Sequence, residues 1–210
     1  MFLLDKSPER GYIYIIIGGK MHINQVRDAV LVGEIQISND YKYRGNRYVK
    51  YQKKLQIKYD SSFDKKLKNK KLSIVYIIAV DGEIHKIGQT SGSGGIANCL
   101  NFYCIAGFDD PSIRSFAINY LMREEIKKGS KIEIYMKYLD LIPVQAPGLF
   151  SVHSKHAAIS AKVLEEACLD DYQAIHGAGA YPSWNFQEKG SSLYEQIQKE
   201  YAEYVFLRKS

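Results

Sequence analysis

The sequence predicts an α+β fold: a small core of a β-hairpin, a helix, a strand and further helices, preceded by a β-rich, basic N-terminal extension. Two apolar, strand-like runs flank an Asp-Gly turn in the middle of the chain, and an alternating run follows at 131–138. Stretches with apolar residues at helical spacing lie between and after these runs. The chain has 210 residues, 46% of them hydrophobic, which is enough for one packed domain.

Positive charge is concentrated in the first third of the chain. Residues 1–72 hold 16 Lys and Arg against 7 Asp and Glu, whereas residues 73–210 hold 13 against 16, and the formal net charge of the whole chain is +6. A basic segment beside a neutral-to-acidic one is typical of a protein that binds a polyanion with one part and has another function in the rest. A basic surface that is merely solvated is the alternative.

The cysteines and the apolar runs bear on where the protein resides. The longest apolar run, at 12–17, is much shorter than a membrane span, and the first residues lack the layout of a signal peptide. The three cysteines are odd in number and lack the spacing of a metal site, which indicates reduced thiols. We therefore expect a cytoplasmic protein.

The N-terminal third is predicted to contain strands at 11–17 and 29–37. Residues 40–58 then alternate tyrosines with cations, and in an extended chain from 41 to 44 the tyrosines lie on one face and the cations on the other. Such tyrosines can stack while the cations contact phosphates. The residues predicted to make these contacts are Tyr41, Lys42, Tyr43, Arg44, Arg47, Lys50, Lys53 and Lys54. The lysine-dense stretch 65–71 is predicted to be a linker or basic loop.

The central hairpin is predicted to consist of strands at 73–79 and 83–88. Tyr76 and Lys86 are ten residues apart, and we expect this even separation to place both side chains on one face of the hairpin, with His85 on the other. A phenol and an ammonium group on one face, with a carboxylate further along the chain, suit phosphodiester chemistry.

The remainder is predicted to be mainly helical. The first helix begins at Asp109-Asp110-Pro111, a capping carboxylate before a first-turn proline, and ends near 128. A strand at 131–138, a loop at 143–148, a helix at 154–172 and a last helix at 191–206 follow. The predicted division is an extension at 1–72, a core at 73–190 and a C-terminal helix at 191–210.

Four short motifs, in this order, resemble the GIY-YIG nuclease superfamily over about residues 73–188. Ile74-Val75-Tyr76 stands where the family has Gly-Ile-Tyr, and Lys86-Ile87-Gly88 where it has Tyr-Ile-Gly. Glu165 lies within a helix, and Pro182-Ser183-Trp184-Asn185 is similar to the family's Pro-x-x-Asn ending. The lysine in place of the second tyrosine resembles the restriction-endonuclease-type branch and phage-type domains with Lys-Ile-Gly-x-Thr.

The family's arginine is missing from its usual register. That register, in the helix after the second motif, falls near residues 97–98, and no arginine is there. Between Lys86 and Glu165 the chain has only Arg114 and Arg123. If residues 91–110 are an insertion, Arg114 falls in the first turn of the next helix, and it is therefore the candidate.

The resemblance implies a metal-dependent DNA endonuclease with five site residues. Tyr76 would be the general base, and Lys86 would favour its phenolate and so lower its pKa. Arg114 would hold the non-bridging phosphate oxygens. Glu165 would bind one Mg²⁺, or Mn²⁺ in its place, to stabilise the leaving oxygen. Asn185 would orient the site or a metal-bound water.

The restriction-type branch further implies a type II, site-specific enzyme encoded by a prokaryote or phage. Such an enzyme would cut double-stranded DNA as a homodimer, because one active site per chain must reach both strands of a symmetric site. One alternative is a phage or mobile-element nuclease of looser specificity. Another is a non-catalytic DNA-binding protein on a degenerate nuclease fold, which the displaced arginine favours.

Overall fold

The computed structural model describes residues 21–41, 53–106, 111–139, 141–185 and 192–209. Within these ranges the fold is α+β, as predicted. The strand predicted at 11–17 lies outside them, as do the predicted phosphate contacts Lys42, Tyr43, Arg44, Arg47 and Lys50. The elements in chain order are β1 (Val30–Tyr41), β2 (Lys53–Tyr59), β3 (Ile74–Val80), β4 (Glu83–Thr90), α1 (Gly95–Ile105), α2 (Ile113–Lys127), β5 (Ile132–Tyr138), β6 (Ile142–Pro147), β7 (Val152–Ala157), α3 (Ala161–His176) and α4 (Ser192–Lys209).

Five strands form one antiparallel sheet in the order β2-β1-β5-β3-β4. Because β1 pairs with both β2 and β5, the described part of the predicted 1–72 extension is continuous with the predicted core. The functional division at residue 72 stays a prediction. Strands β6 and β7 form a separate two-stranded sheet.

Helices cover both faces of the sheet around β3. On one face α1, α2 and α4 pack over Ile74, Tyr76 and Ile78; on the other α3 packs over Val75 and Ile77. Side chains of a strand alternate between faces, so a strand covered on both sides is apolar throughout. This accounts for the unbroken run in β3, in which all seven residues are buried. Among the described residues, no helix is sufficiently long and apolar to cross a lipid bilayer.

Helix α1 was not predicted, and it occupies much of the stretch interpreted above as an insertion. Its N-cap is Gly94, which offers no side-chain hydrogen bond, so the usual signal for a helix start is missing. The helix is instead stabilised by burial of Ile96, Leu100, Tyr103 and Cys104, which recur at helical spacing. Residues 91–110 therefore contain a helix that the sequence did not predict, and whether they are an insertion relative to the family stays open.

Two other boundaries differ from the predicted ones. The predicted loop at 143–148 is mostly strand β6, and the helix predicted from 154 begins only at Ala161, after β7. Ser160 caps α3 by accepting a hydrogen bond from the backbone of Lys162. Helix α2 is capped in the same way by Ser112, which accepts from the Ser115 N–H at 3.2 Å, while residues 109–110 lie outside the described ranges.

Candidate active site

The β3–β4 hairpin has a turn geometry that by itself would separate Tyr76 from Lys86. Asp81 and Gly82 have φ values of 50° and 84°, as in the two-residue turn that favours Asp-Gly, and Val80 pairs with Glu83. In a hairpin with a two-residue loop, paired residues are an odd number apart. Two residues separated by ten positions would then lie on opposite faces.

A β-bulge reverses this arrangement. Ala79 pairs with Ile84, but the next pair is Ile78 with Lys86, so His85 is an extra residue in β4. Beyond the bulge, Lys86 shares the face of Ile78, which is also the face of Tyr76. The predicted shared face is present, but it arises from the bulge and not from the even separation.

Gly88 lies directly opposite Tyr76 and leaves room for its ring. A Cβ atom at Gly88 would lie 2.5 Å from Cζ of Tyr76 and closer still to the hydroxyl oxygen. Gly88 is not among the residues with positive φ, so the reason for glycine here is space and not backbone conformation. The Tyr76 ring thus crosses over the Lys86-Ile87-Gly88 segment, and the two sequence motifs meet there.

The Tyr76 hydroxyl is enclosed by α1. Its oxygen lies 2.5 Å from the Tyr103 hydroxyl, and Cys99 forms a further side-chain hydrogen bond with Tyr76. Cys99 and Tyr103 are four residues apart and therefore lie on the same side of α1. Tyr76 is 1% exposed and Tyr103 6%. Sequence reasoning missed Tyr103 because it missed α1; the spacing of Ile96, Leu100 and Tyr103 could have revealed both.

The two candidate arginines have different surroundings. Arg114, in the first turn of α2, hydrogen-bonds the Tyr103 side chain, and its charge also acts on Tyr76 and Cys99. Arg123 is buried; its Nε donates to Asn119 Oδ1 at 2.9 Å and its Nη2 to the Lys53 carbonyl at 2.7 Å. The structure therefore brings Arg114, and not Arg123, to Tyr76.

Asn119 is expected to be essential for stability, because it links Arg123 to the end of α1. Its Nδ2 donates to the carbonyls of Tyr103 and Cys104 at 2.6 and 3.2 Å, and the residue is fully buried. Substitution Asn119→Ala leaves those carbonyls and Arg123 without these partners and should lower the free energy of unfolding by about 3 kcal/mol. Urea denaturation measures this. Ser112→Ala, which removes the exposed N-cap of the same helix, should cost only about 1 kcal/mol; equal losses in both would contradict the assignment.

The pKa of Tyr76 is raised well above 10.0, chiefly because burial disfavours the phenolate, and further by Tyr103 and Cys99. The positive charge of Arg114 acts in the opposite direction but does not cancel this increase in the pKa of Tyr76. The lowering of the Tyr76 pKa that was expected from Lys86 does not prevail: burial dominates, and Tyr76 is a neutral phenol at neutral pH. The charge of Lys86 acts on Cys99, whose pKa burial nevertheless raises to about 11.

Lys86 is 3% exposed, so its ammonium group lies in the protein interior near α1. Burying a cation is costly unless charges or hydrogen bonds compensate for the lost hydration. A buried lysine beside buried phenols is therefore a candidate for a functional site.

Glu165 lies in the second turn of α3 and is half-buried. Helix α3 packs on β3 and β4 through Leu164, Cys168 and Leu169, on the face opposite Tyr76. Strand β4 is at the edge of the sheet.

Within the described ranges, no group of three or more His, Cys, Asp or Glu side chains could hold a metal ion. A single carboxylate suits Mg²⁺, which keeps several waters and takes phosphate oxygens, but does not suit a zinc site.

Asn185 holds strand β4 through hydrogen bonds that the sequence did not suggest. Its Oδ1 accepts from the Ile87 N–H at 3.0 Å, and its Nδ2 donates to the Ile87 carbonyl at 2.7 Å. Together with the Trp184 N–H, which donates to the His85 carbonyl at 2.8 Å, this pairing continues the sheet beyond β4. Of the two roles predicted for Asn185, these hydrogen bonds suit orientation of the site, through the strand that carries Lys86; orientation of a metal-bound water stays a prediction.

The predicted DNA contacts that the structure describes lie on β1 and β2, and the lysine-dense stretch lies beside α1. Lys53 and Lys54 are on β2, at the opposite edge of the sheet from β4, and Tyr41 ends β1. The lysine-dense stretch 65–71 is an irregular loop, as predicted, and its Lys68 carbonyl accepts from the Ala97 N–H at 3.1 Å. This loop therefore contacts the first turn of α1, the helix that also carries Cys99 and Tyr103.

Comparison with known proteins gave matches only among solved structures. No protein-family profile and no curated protein sequence matches the chain. A mutant of bacteriophage T4 EndoII aligns over 79% of this chain and 98% of its own, with 17% identity and a TM-score of 0.43. Restriction endonuclease HPY188I in complex with product DNA aligns over 77% of this chain and 88% of its own, with 15% identity and a TM-score of 0.42. A function for this chain therefore has to rest on its own residues.

Proposed function

We propose that the protein is a DNA endonuclease whose active site is formed by Tyr76, Lys86, Tyr103, Arg114 and Glu165. The observation that carries the proposal is the hydrogen-bonded group of Tyr76, Tyr103 and Arg114, on the same face of the β3–β4 hairpin as a buried lysine ammonium. Phenols that can move a proton, beside fixed cations that can bind an anion, are what hydrolysis of a phosphodiester requires.

The cations would bind the phosphate. Arg114 presents a planar guanidinium, which can donate two parallel hydrogen bonds to non-bridging oxygens. Its contact with Tyr103 limits the orientations that the guanidinium can adopt. Lys86 would add a second positive charge in a poorly hydrated site, where its attraction to the phosphate is much stronger than in water.

Tyr76 would accept the proton of the attacking water. Because its pKa is raised, only a small fraction is phenolate at neutral pH, and that fraction would be the reactive one. The Tyr103 hydroxyl would stabilise this phenolate by donating a hydrogen bond across the 2.5 Å contact. Asn185 would act indirectly, by fixing the β4 backbone at Ile87 and so the position of Lys86.

Glu165 is the residue that we propose to hold a divalent metal. A Mg²⁺ ion bound there, together with a DNA phosphate, would stabilise the negative charge that develops on the leaving 3′ oxygen. Mn²⁺ has similar ligand preferences and would substitute. Helix α3 packs on the face opposite Tyr76, so Glu165 would reach the site past the edge of β4, along which Trp184 and Asn185 pair with the strand.

DNA would approach along the lysine-dense loop at 65–71. Four of its lysines, Lys65, Lys66, Lys70 and Lys71, are exposed, and the loop contacts the start of α1. Lys54 on β2, which lines the same cavity as Lys68, would extend this surface, and the predicted phosphate contacts of residues 42–50 remain a prediction. Contacts of this kind fix position on the duplex without reading its sequence.

The biological setting that we propose is a type II restriction endonuclease of the GIY-YIG superfamily, cytoplasmic and homodimeric. The lysine of the second motif favours this branch. Two copies would place one site on each strand of a symmetric recognition sequence.

Incubation of the purified chain with supercoiled plasmid and Mg²⁺ or Mn²⁺ tests the proposal. Defined fragments are expected, and none with EDTA. Single nicks or a smear would indicate the looser phage or mobile-element type of nuclease. Absence of cleavage on a broad panel of DNA with either metal would overturn the endonuclease proposal. It would favour the alternative that the protein binds DNA without cutting it. The burial of Tyr76 supports this alternative, because a buried hydroxyl is hard for water and phosphate to reach.

The cleavage rate is expected to rise with pH without a plateau. If phenolate is the base and its pKa lies well above 10.0, the phenolate fraction grows about tenfold per pH unit throughout the range below that pKa. Single-turnover rates between pH 6 and 9 measure this dependence. A plateau that begins near pH 7 would mean that the base is another group, or that bound DNA lowers the pKa of Tyr76.

A further inference from the structure

We propose that the β6–β7 hairpin enters a groove of duplex DNA and inserts the side chains of Leu149 and Phe150 between base pairs. The proposal rests on the proposed function in one respect only, namely that the protein binds DNA. It concerns a part of the molecule that the active site does not use.

The hairpin stands apart from the rest of the fold. Strands β6 and β7 pair only with each other, and every residue from 141 to 156 is exposed except Val144 and Ala146. A lone two-stranded hairpin is marginally stable in water. Six paired positions, from Ile142 with Ala157 to Pro147 with Val152, give a ribbon about 20 Å long. Such an element gains order when a partner covers it.

The tip of the hairpin is unusual in composition. The Gly148 N–H donates to the Ser151 carbonyl at 2.7 Å, which closes a tight turn with Leu149 and Phe150 at its two central positions. Glycine, asparagine, aspartate and proline are the common residues of such turns. Here the side chains are large and apolar, and they are 92% and 100% exposed. With Ile142 and Val152, which are 42% and 65% exposed, they concentrate exposed apolar surface on this one hairpin, and concentrated apolar surface is typical of an interaction site.

The charge of the ribbon identifies the partner as a polyanion. No Asp or Glu occurs between residues 141 and 164, while Lys155 projects from β7 between His153 and His156. Two-stranded ribbons enter the major or the minor groove of DNA. Proteins that bind the minor groove commonly insert Phe, Leu or Pro side chains between base pairs and so bend the duplex. The ribbon offers all three at its tip, in Pro147, Leu149 and Phe150.

A tryptophan at the tip tests the insertion directly. In Phe150→Trp the new side chain is exposed, whereas the natural Trp184 is 4% exposed, so acrylamide quenching reports chiefly the tip. The probe is mixed-sequence duplex DNA of about 200 base pairs in EDTA, which prevents cleavage. We expect saturating DNA to reduce quenching severalfold, because stacked bases exclude the quencher. The matched control is Phe206→Trp on α4, where Phe206 is 70% exposed, and its quenching should change little.

A second variant measures the energetic contribution. Combining Leu149→Ala with Phe150→Ala should weaken DNA binding about tenfold or more, since removing one base–aromatic stack typically has that effect. Both side chains are solvent-exposed, so the fold should be unaffected. Phe206→Ala should leave the affinity unchanged.

The outcomes separate the two proposals. If the wild-type chain binds no duplex DNA, the proposed function fails and the insertion fails with it. If it binds DNA but the tip tryptophan is quenched equally in the free and bound states, the insertion alone is overturned. Unchanged DNA affinity of the tip variant, with a loss of dimer in sedimentation, would overturn it as well and assign the hairpin to a second copy of this chain.

Discussion

Substitution Tyr76→Phe is expected to reduce DNA cleavage by about a thousandfold, the scale on which removal of a positioned proton acceptor acts. Phenylalanine keeps the ring that crosses Gly88, so packing in this part of the core is preserved. Only the hydroxyl that contacts Tyr103 is lost. Single-turnover cleavage and DNA binding, measured in parallel, separate catalysis from affinity, and binding should be unchanged.

Tyr135→Phe is the matched control for this change. Tyr135 also lies in the central sheet, on β5, but its hydroxyl donates to Glu133 at 3.2 Å, away from α1. This variant should cleave at the wild-type rate. If Tyr76→Phe keeps more than about a tenth of the activity, Tyr76 does not supply the base, and the remaining candidates are groups that bind the metal or the phosphate.

Substitution Gly88→Ala is expected to lower the free energy of unfolding by about 3 kcal/mol and to remove activity at the same time. The new Cβ would overlap the Tyr76 ring, which is buried on all sides and hydrogen-bonded to Tyr103, so the ring has nowhere to move. Overpacking of a filled core typically costs between about 1 and 3 kcal/mol. Thermal or urea denaturation measures the loss.

The cause of this loss can be isolated with two further variants. Gly92→Ala adds a methyl group with only an ordinary contact, 3.6 Å from Thr90 Oγ1, and should be close to neutral. In a Tyr76→Leu background, Gly88→Ala should cost much less, because the overlapping ring atoms are gone. An equal cost in both backgrounds would mean that the backbone of β4, and not the ring, sets the requirement for glycine.

Much of the sheet could be predicted from sequence because its strands carry strong local patterns. The continuous run of β3 and the Asp-Gly turn predicted the hairpin, and the alternation in β5 predicted its other neighbour. Helix α1 was missed because its start has no capping side chain and follows a glycine-rich loop; it forms because its apolar residues are buried against β2 and β3. Tertiary contacts, and not the local helix propensity of the sequence, therefore account for the formation of α1.

The candidate site was predictable only where the side chains lie on predicted elements. Tyr76, Lys86 and Arg114 could be named, but Tyr103 could not, because it belongs to α1. The raised pKa of Tyr76 could not be foreseen either, since a sequence does not show how deeply a hydroxyl is buried. The role of Asn185 depends on pairing between residues 98 positions apart, which no local pattern encodes.

The extra residue at His85 decides which side of the sheet Lys86 occupies. Regular pairing at the present length would place His85 opposite Ile78 and turn the Lys86 ammonium group to the other side of the sheet, away from Tyr76. Deletion of His85 would instead leave Lys86 opposite Ile78, on the side of Tyr76. During evolution this segment should therefore tolerate loss of the extra residue, whereas a change that straightens the strand at its present length would remove the ammonium group from Tyr76 while keeping the fold.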